Sequence, residues 1–280
     1  MSKLVTGDGR THIDSPLMRE SLVNRTVTQK TDSEHELAIL PDVTLVSIGG
    51  QSIFDRGKSA IMPLVEELAA LRAKHQMIIG VGGGTRVRHT ISVALDLGLP
   101  TGGVAQLVGA MEEANAVFLN ALMAKHGSIV MQREHFWELP LYIENGMLPI
   151  VISVPPYHFW EPPSEDGNPL PTHGSDFGLF THAEVLGMSR IIFVKDEDGL
   201  YDKDPKQHKG AKLIPRITLE EILARKMDEL ILDRTLFEAW VSSRHIEKVQ
   251  IVNGLKPGQL TRALAGEDVG TVITRENRRG

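Results

Sequence analysis

From residue 43 onward, short apolar runs of strand length alternate with longer segments whose apolar residues recur at helical spacing. VTLVSIGG (43–50), QMIIGVGGG (76–84), SIVMQ (128–132), LPIVISV (148–154), RIIFVKD (190–196), KVQIVNG (248–254) and VGTVITR (269–275) read as strands. Helical spacing covers 59–75, 85–99, about 105–126, 176–188, about 218–226 and 233–246, with a short helix at 258–266. Strands separated by helices cannot pair as tight hairpins, so the alternation predicts an α/β domain with a mostly parallel central sheet and helices on both faces.

Open sheets of this kind bind ligands outside the carboxyl ends of their strands. Three of these ends carry suitable chemistry. The first, SIGG at 47–50, contributes Gly49 and Gly50; the second, GVGGG at 80–84, contributes Gly82, Gly83 and Gly84. Without a Cβ, their backbone N–H groups can approach a phosphate closely. The helix beginning near Thr85 directs its positive end to the same place, and Arg86 adds a charged donor. The third end opens into KDEDGLYDKDP at 195–205. Lys195 leads this segment, Asp196, Asp198 and Asp204 offer hard oxygens for Mg²⁺, Gly199 permits a tight turn, and Pro205 closes it. Tyr201 is read as packing on a base or as plugging the core. Asn253 ends a later strand, either beside the nucleotide or in an ordinary turn. Asp176 begins a helix after the flexible HGS, where Asp also serves as an N-cap. An acidic solvated turn explains the third end by itself. The three ends together predict a site for a nucleotide or another phosphate-like anion, with Mg²⁺ as an expected companion ion.

The segment 155–175, PPYHFWEPPSEDGNPLPTHGS, breaks the alternation with six prolines, two histidines, a Trp and a Phe. Its aromatic content predicts an ordered loop, and its start at a strand's carboxyl end places it at the mouth of the site. Residues 1–36 are polar, with helical potential only at 15–25, and are expected to form an arm, mobile or docked on a neighbouring subunit; residues 37–280 are expected to form one domain. A net charge of −6 argues against nucleic acid or an anionic membrane as partner. The absence of cysteine removes disulfides, thiolate metal sites and a cysteine nucleophile. No apolar run approaches the ~18 residues of a membrane span, and the N-terminus lacks a signal-peptide core, so a cytoplasmic protein is expected.

SIGG, GVGGGTRVRH, THGSDFG, VKDEDGLYDKDP and VNGLKPGQLTRALAGEDVGTVI stand in an order that resembles the amino acid kinase superfamily. Within it, DRGKSAIMPLVEEL, RHTISVALDLGLP, PPYHFW and HIEKVQIVNGLKPGQLTRALAGEDVGT make the chain most similar to the molybdenum storage branch. The resemblance spans about 40–275. It implies a three-layer αβα sandwich, an ATP site, and a hexamer built as a trimer of dimers around a cage for polyoxometalate clusters of molybdate or tungstate. It also implies that Asp176 orients the catalytic groups. The oligomer is either a homo-oligomer or a hetero-oligomer with a paralogue.

Two positions depart from that pattern. Kinases of the superfamily carry a lysine two residues before the first Gly pair to neutralise the transferred phosphoryl, and here that position is Ser47. Losing this cation counts against efficient phosphoryl transfer, which depends almost entirely on positioning and charge stabilisation; Arg86, Arg88 or Lys195 is a potential substitute. Oxoanion clusters call for histidine donors, and His158 on the Pro-rich loop is the expected contact, with His173 and His135 less securely placed and Tyr142 standing where the resemblance places a histidine. Two function classes follow. One is an ATP-binding storage protein for molybdate or tungstate. The other is a nucleotide-dependent kinase of a nucleoside monophosphate or a small carboxylate, impaired by Ser47.

Overall fold

The computed structural model describes residues 4–6, 11–13, 37–152, 164, 167–171, 173–225, 227 and 230–276. The helix expected at 15–25 lies outside them, as does the aromatic start of the Pro-rich loop with Tyr157, His158, Phe159 and Trp160. The chain divides into two units, 1–37 and 38–280. In the first, β1 (Leu4–Thr6) pairs antiparallel with β2 (Thr11–Ile13), a hairpin that the polar composition did not announce.

The second unit holds an eight-stranded sheet. Its strands are β3 (Thr44–Ile48), β4 (Met77–Val81), β5 (Ser128–Val130), β6 (Leu148–Ile152), β7 (Arg190–Lys195), β10 (Arg216–Thr218), β11 (Lys248–Asn253) and β12 (Thr271–Thr274), and a separate two-stranded ribbon joins β8 (Leu200–Tyr201) to β9 (Leu213–Ile214). The order across the sheet is β10-β12-β11-β7-β3-β4-β6-β5. Every neighbour is parallel except β11 and β12. Residues 43 onward thus adopt the expected mostly parallel sheet.

Alternation within β7 divides the core. Ile191 and Phe193 join the cluster on one face, while Ile192 and Val194 join the cluster on the other. The first face is covered by α4 (Leu139–Glu144), α5 (Ser175–Val185), α6 (Leu219–Arg225) and α7 (Arg234–Trp240). The opposite face is covered by α1 (Lys58–Leu71), α3 (Thr101–Met123) and α8 (Gln259–Leu264). The helix α2 (Gly84–Asp96) packs chiefly on α3 and contributes Ala94 to the interior. Helices on both sides of one sheet make the three-layer αβα sandwich. Among the described residues, no helix is long and apolar enough to cross a membrane.

Several elements are shorter than their hydrophobic spacing suggests. The first helix ends at Leu71, whose carbonyl accepts the N–H groups of both Lys74 and His75. The helix expected to reach residue 246 stops at Trp240, where Ser243 donates both its N–H and its hydroxyl to the Trp240 carbonyl. Trp240 itself is fully buried and donates Nε1–H to the Ile246 carbonyl at 2.8 Å.

Gly80 lies beneath α5, and a Cβ there would fall 2.3 Å from Leu179 Cδ2. This glycine lets the helix that carries Asp176 sit directly on the sheet. Gly80→Val is expected to destabilise the fold by about 1–3 kcal/mol, the usual cost of overpacking. Pairing it with Leu179→Ala should recover part of that loss in denaturant unfolding; additive losses would show that the two sites do not compete for the same space.

His182 on α5 is buried, packs edge-on against Phe136 at 4.7 Å, and has no hydrogen-bond partner at either ring nitrogen among the described residues. Burial pushes its pKa down from 6.5 to about 4. The unfolded chain therefore binds this proton at a pH where the folded chain does not. Stability is full above pH 6.5, falls between pH 6.5 and 4 by up to about 3 kcal/mol, and loses nothing further from this group below that. Unfolding free energies measured across this window should show a smaller acid-side fall in His182→Leu, and an unchanged slope would remove the assignment.

Candidate functional site

Parallel register brings the strand ends level. Ile48 pairs with Val81 on one side and Val194 on the other, Val81 pairs with Ile152, and Val194 pairs with Val252. The chain leaves the sheet just after this row, and a cleft of about 1160 Å³ opens there. Ser47, Gly49, Gly50, Gly82, Gly83, Gly84, His173, Asp176, Lys195 and Asp196 all line it. Most of the residues picked from three distant sequence segments are thus neighbours. A smaller cleft of about 360 Å³ holds Gly199, Tyr201, Asp204 and Pro205, and shares Asp196, Lys206, Leu230 and Ile231 with the larger one.

The glycines first bring the two strand ends together. A Cβ on Gly50 would lie 2.2 Å from the Gly84 nitrogen, so no other residue fits this crossing. Gly49 and Gly82 commit their N–H groups to the carbonyls of Val194 and Ile48, both at 3.1 Å. Gly50, Gly83 and Gly84 line the cleft beside them. Gly84 has φ +71°, a conformation glycine adopts without strain. The N-terminus of α2 needs a correction, because the chain already supplies its anion there. Asp55 Oδ2 accepts the Thr85 N–H at 2.6 Å and satisfies the first turn of the helix.

Arg86 is corrected as well. It donates to Asn115 Oδ1 and lies over the Phe118 ring at 5.2 Å, away from the cleft, whereas Arg88 lines it. Asn115 is fully buried and donates Nδ2–H to the carbonyls of Gly82 at 2.6 Å and Gly83 at 3.1 Å. It thereby ties the glycine turn to α3, a role with no local sequence signal.

Lys195 donates to both carboxylate oxygens of Asp176, at 2.8 and 2.9 Å, and both side chains are largely buried. Asp233 stands behind them and accepts the N–H groups of Asp176 and Phe177 at 3.1 and 3.3 Å. Burial raises the Asp233 carboxyl above the usual range, and the neighbouring Asp176 charge adds to the rise. Asp233 directly precedes α7, yet its side chain caps α5 and makes no cap bond to its own helix. Ser47, 3% exposed, sits on β3 between Gly80 and Phe193 in the register of the sheet. The cation nearest in chain order to its row is Lys195, just past Val194, whose carbonyl bonds Gly49.

The acidic segment does not form one metal site. Asp196 accepts from Arg56 at 2.6 Å and from Lys206 at 3.3 Å. Burial pushes its carboxyl up, but these two cations more than offset that and hold it below the usual range. Asp198 faces elsewhere, bonding Lys256 at 2.7 Å and Asn253 Nδ2 at 2.9 Å, and lines neither cleft. The Lys256 bond lowers its pKa. Asp204 shapes a turn by accepting the Lys206 N–H at 2.8 Å and Gln207 Nε2–H at 2.9 Å. Gly199 serves packing, since a Cβ there would fall 2.2 Å from Thr271 Oγ1. Asn253 is a strut between Asp198 and the Leu255 N–H, and is outside both clefts. Tyr201 lines the smaller cleft, where burial raises its pKa, helped by Asp198 and Glu197. Among the described residues, no group of three or more His, Cys, Asp or Glu is arranged to hold a metal ion alone.

His173 stacks on Phe177 at 4.3 Å and lines the larger cleft with Leu170 and Pro171, so the end of the Pro-rich loop does border the site. His158 lies outside the described residues. His135, by contrast, is exposed and paired with Glu138 at 2.8 Å.

The beta subunit of the molybdenum storage protein of Azotobacter vinelandii is 43% identical over 262 residues, covering 94% of this chain and 97% of that protein. A uridylate kinase of Methanobrevibacter smithii is 26% identical over 239 residues, covering 82% of this chain and 97% of that one. The solved UMP kinase of Ureaplasma parvum superposes with a TM-score of 0.65 at 19% identity, over 84% of this chain and 99% of that chain. The uridylate kinase of Archaeoglobus fulgidus gives 0.64 at 23% identity, over 82% and 99%. These two structures share the fold. Residues 42–253, which carry the sheet from β3 to β11 and all three strand ends that open on the larger cleft, match the amino acid kinase family, and the chain belongs to that family.

Proposed function

We propose that this chain is an ATP-binding subunit of a molybdenum-storage-like assembly, which cages molybdate or tungstate as polyoxometalate clusters. The observation that carries the reading is 43% identity to a molybdenum storage subunit along nearly the whole of both chains, against 26% to a uridylate kinase. The cleft chemistry supports it. Gly50, Gly83 and Gly84 suit close approach to phosphates, Tyr201 lines a cleft suited to a base, and Lys195 adds a cation. Ser47 occupies the row where an efficient kinase of the superfamily is expected to place its lysine, and a hydroxyl cannot neutralise a transferring phosphoryl.

Magnesium usually binds through one or two carboxylates together with substrate phosphates. Asp196 and Asp176 both line the larger cleft and fit an ion arriving with the nucleotide, whose charge would neutralise the phosphates. Asp198, held by Lys256 and Asn253, does not fit. The oxoanion contacts are assigned to His173 and His158. Assembly is supported by Val117, Phe118 and Leu122, which stand exposed on α3 as an apolar face suited to burial between subunits, in a homo-oligomer or with a paralogue.

Protein produced with molybdate and tungstate supplied should carry molybdenum or tungsten in elemental analysis, and His173→Ala should reduce the load with the oligomer intact on sizing chromatography. Metal-free wild-type protein sinks the storage reading.

A second reading, a kinase of a nucleoside monophosphate or a small carboxylate, is favoured by the paired Lys195 and Asp176 in the cleft. Under the first reading, Ser47→Lys should raise residual phosphoryl transfer or ATP hydrolysis above that of the wild type. Wild-type phosphorylation of UMP at ~1–100 s⁻¹, a usual kinase rate, would decide for the second.

A further inference from the structure

The two clefts meet at one point, lined by Asp196 and Lys206 in both and by Arg56 on the side of the larger. A ligand with a flat base in the smaller cleft and phosphates against the glycines must pass this junction. Two cations converge there from different parts of the chain. Arg56 ends the tight turn Phe54–Arg56 that follows Gly49 and Gly50, with its Nε–H anchored on the Ser52 carbonyl at 2.9 Å. Lys206 belongs to the turn shaped by Asp204. Both reach the same atom, Asp196 Oδ2, at 2.6 and 3.3 Å, and Lys206 also lies 3.3 Å from Glu197 Oε1.

Resting on the nucleotide reading above, we propose that Arg56 and Lys206 form a clasp for the polyphosphate of a nucleoside triphosphate, which Asp196 occupies as an internal competitor while the cleft is empty. The side chains of Arg56 and Lys206 are 45% and 62% exposed, and ion pairs of such exposure are weak. A triphosphate brings several charges and many acceptor oxygens to the same donors, and the Arg56 fork matches phosphate geometry better than it matches one shared carboxylate oxygen. The exchange costs the protein one ion-pair cluster and gives the ligand two charge-assisted contacts. A nucleoside brings no charged acceptor to the clasp, so the clasp favours a ligand that carries phosphates.

Calorimetry with ATP in EDTA tests this on the full-length protein. Arg56→Gln and Lys206→Gln should each weaken ATP binding by about tenfold, as expected for loss of a charge-assisted bond. Lys209→Gln, which removes an equal charge at an exposed position outside both clefts, should leave affinity unchanged. Asp196→Asn should tighten ATP in EDTA, because it removes both the competitor and a repelling charge. Wild-type affinity in both Arg56→Gln and Lys206→Gln overturns the clasp and leaves the nucleotide reading standing. Weaker binding in Asp196→Asn overturns the competition. A wild type that binds no ATP removes the clasp and the nucleotide reading together.

Discussion

Parallel pairing of β3 with β4 and β7 is the constraint on which the rest of the molecule depends. In parallel strands every carboxyl end leaves the sheet on the same side, so Gly49, Gly82 and Lys195 emerge together although some 145 residues separate the first from the last. The pairing also demands crossover helices, and these supply both outer layers. Burial of all five residues of β4 and of β6, and of four of the five in β3, follows from that covering. Site and core have the same origin.

The cleft is polar, yet largely satisfied by the chain itself. Asp55 answers the end of α2, Asp233 answers the end of α5, Lys195 answers Asp176, and Arg56 with Lys206 answers Asp196. Such internal pairing keeps buried charges from being left alone, which is costly in a low-dielectric interior. It also sets a threshold for any ligand, since an anion gains only what it adds beyond these contacts. Weak, exposed pairs are the ones a ligand can replace, and the buried pair of Lys195 and Asp176 is the one that fixes geometry.

Much of the fold was legible because strand and helix periodicities are local. The run from Ile191 to Val194 needs no partner to be recognised as a buried strand, and the glycine pairs and triplet mark its neighbours' ends. Element boundaries were less legible. Ser243 shortens α7 through a hydroxyl bond that hydrophobic spacing does not report, and the small elements from Arg133 to Glu144 and from Leu200 to Thr218 have too few residues to show a period.

For the site, sequence determined which chemistry was present: glycines for close approach, carboxylates and a lysine at one strand end, and no lysine at position 47. Only tertiary structure decided which of these groups work together. Asp196 and Asp198 are two residues apart, a spacing that a continuing strand would keep on one face, but the chain has left β7 for a bend, and one enters the cleft while the other joins Lys256 and Asn253. Arg86 and Arg88 divide in the same way, on a helix where positions two apart do not share a face. Asp55, Arg56, Asn115 and Asp233 reached the site through contacts spanning 29 to 140 residues. No local pattern encodes such contacts, because they are set by where packed elements end in space.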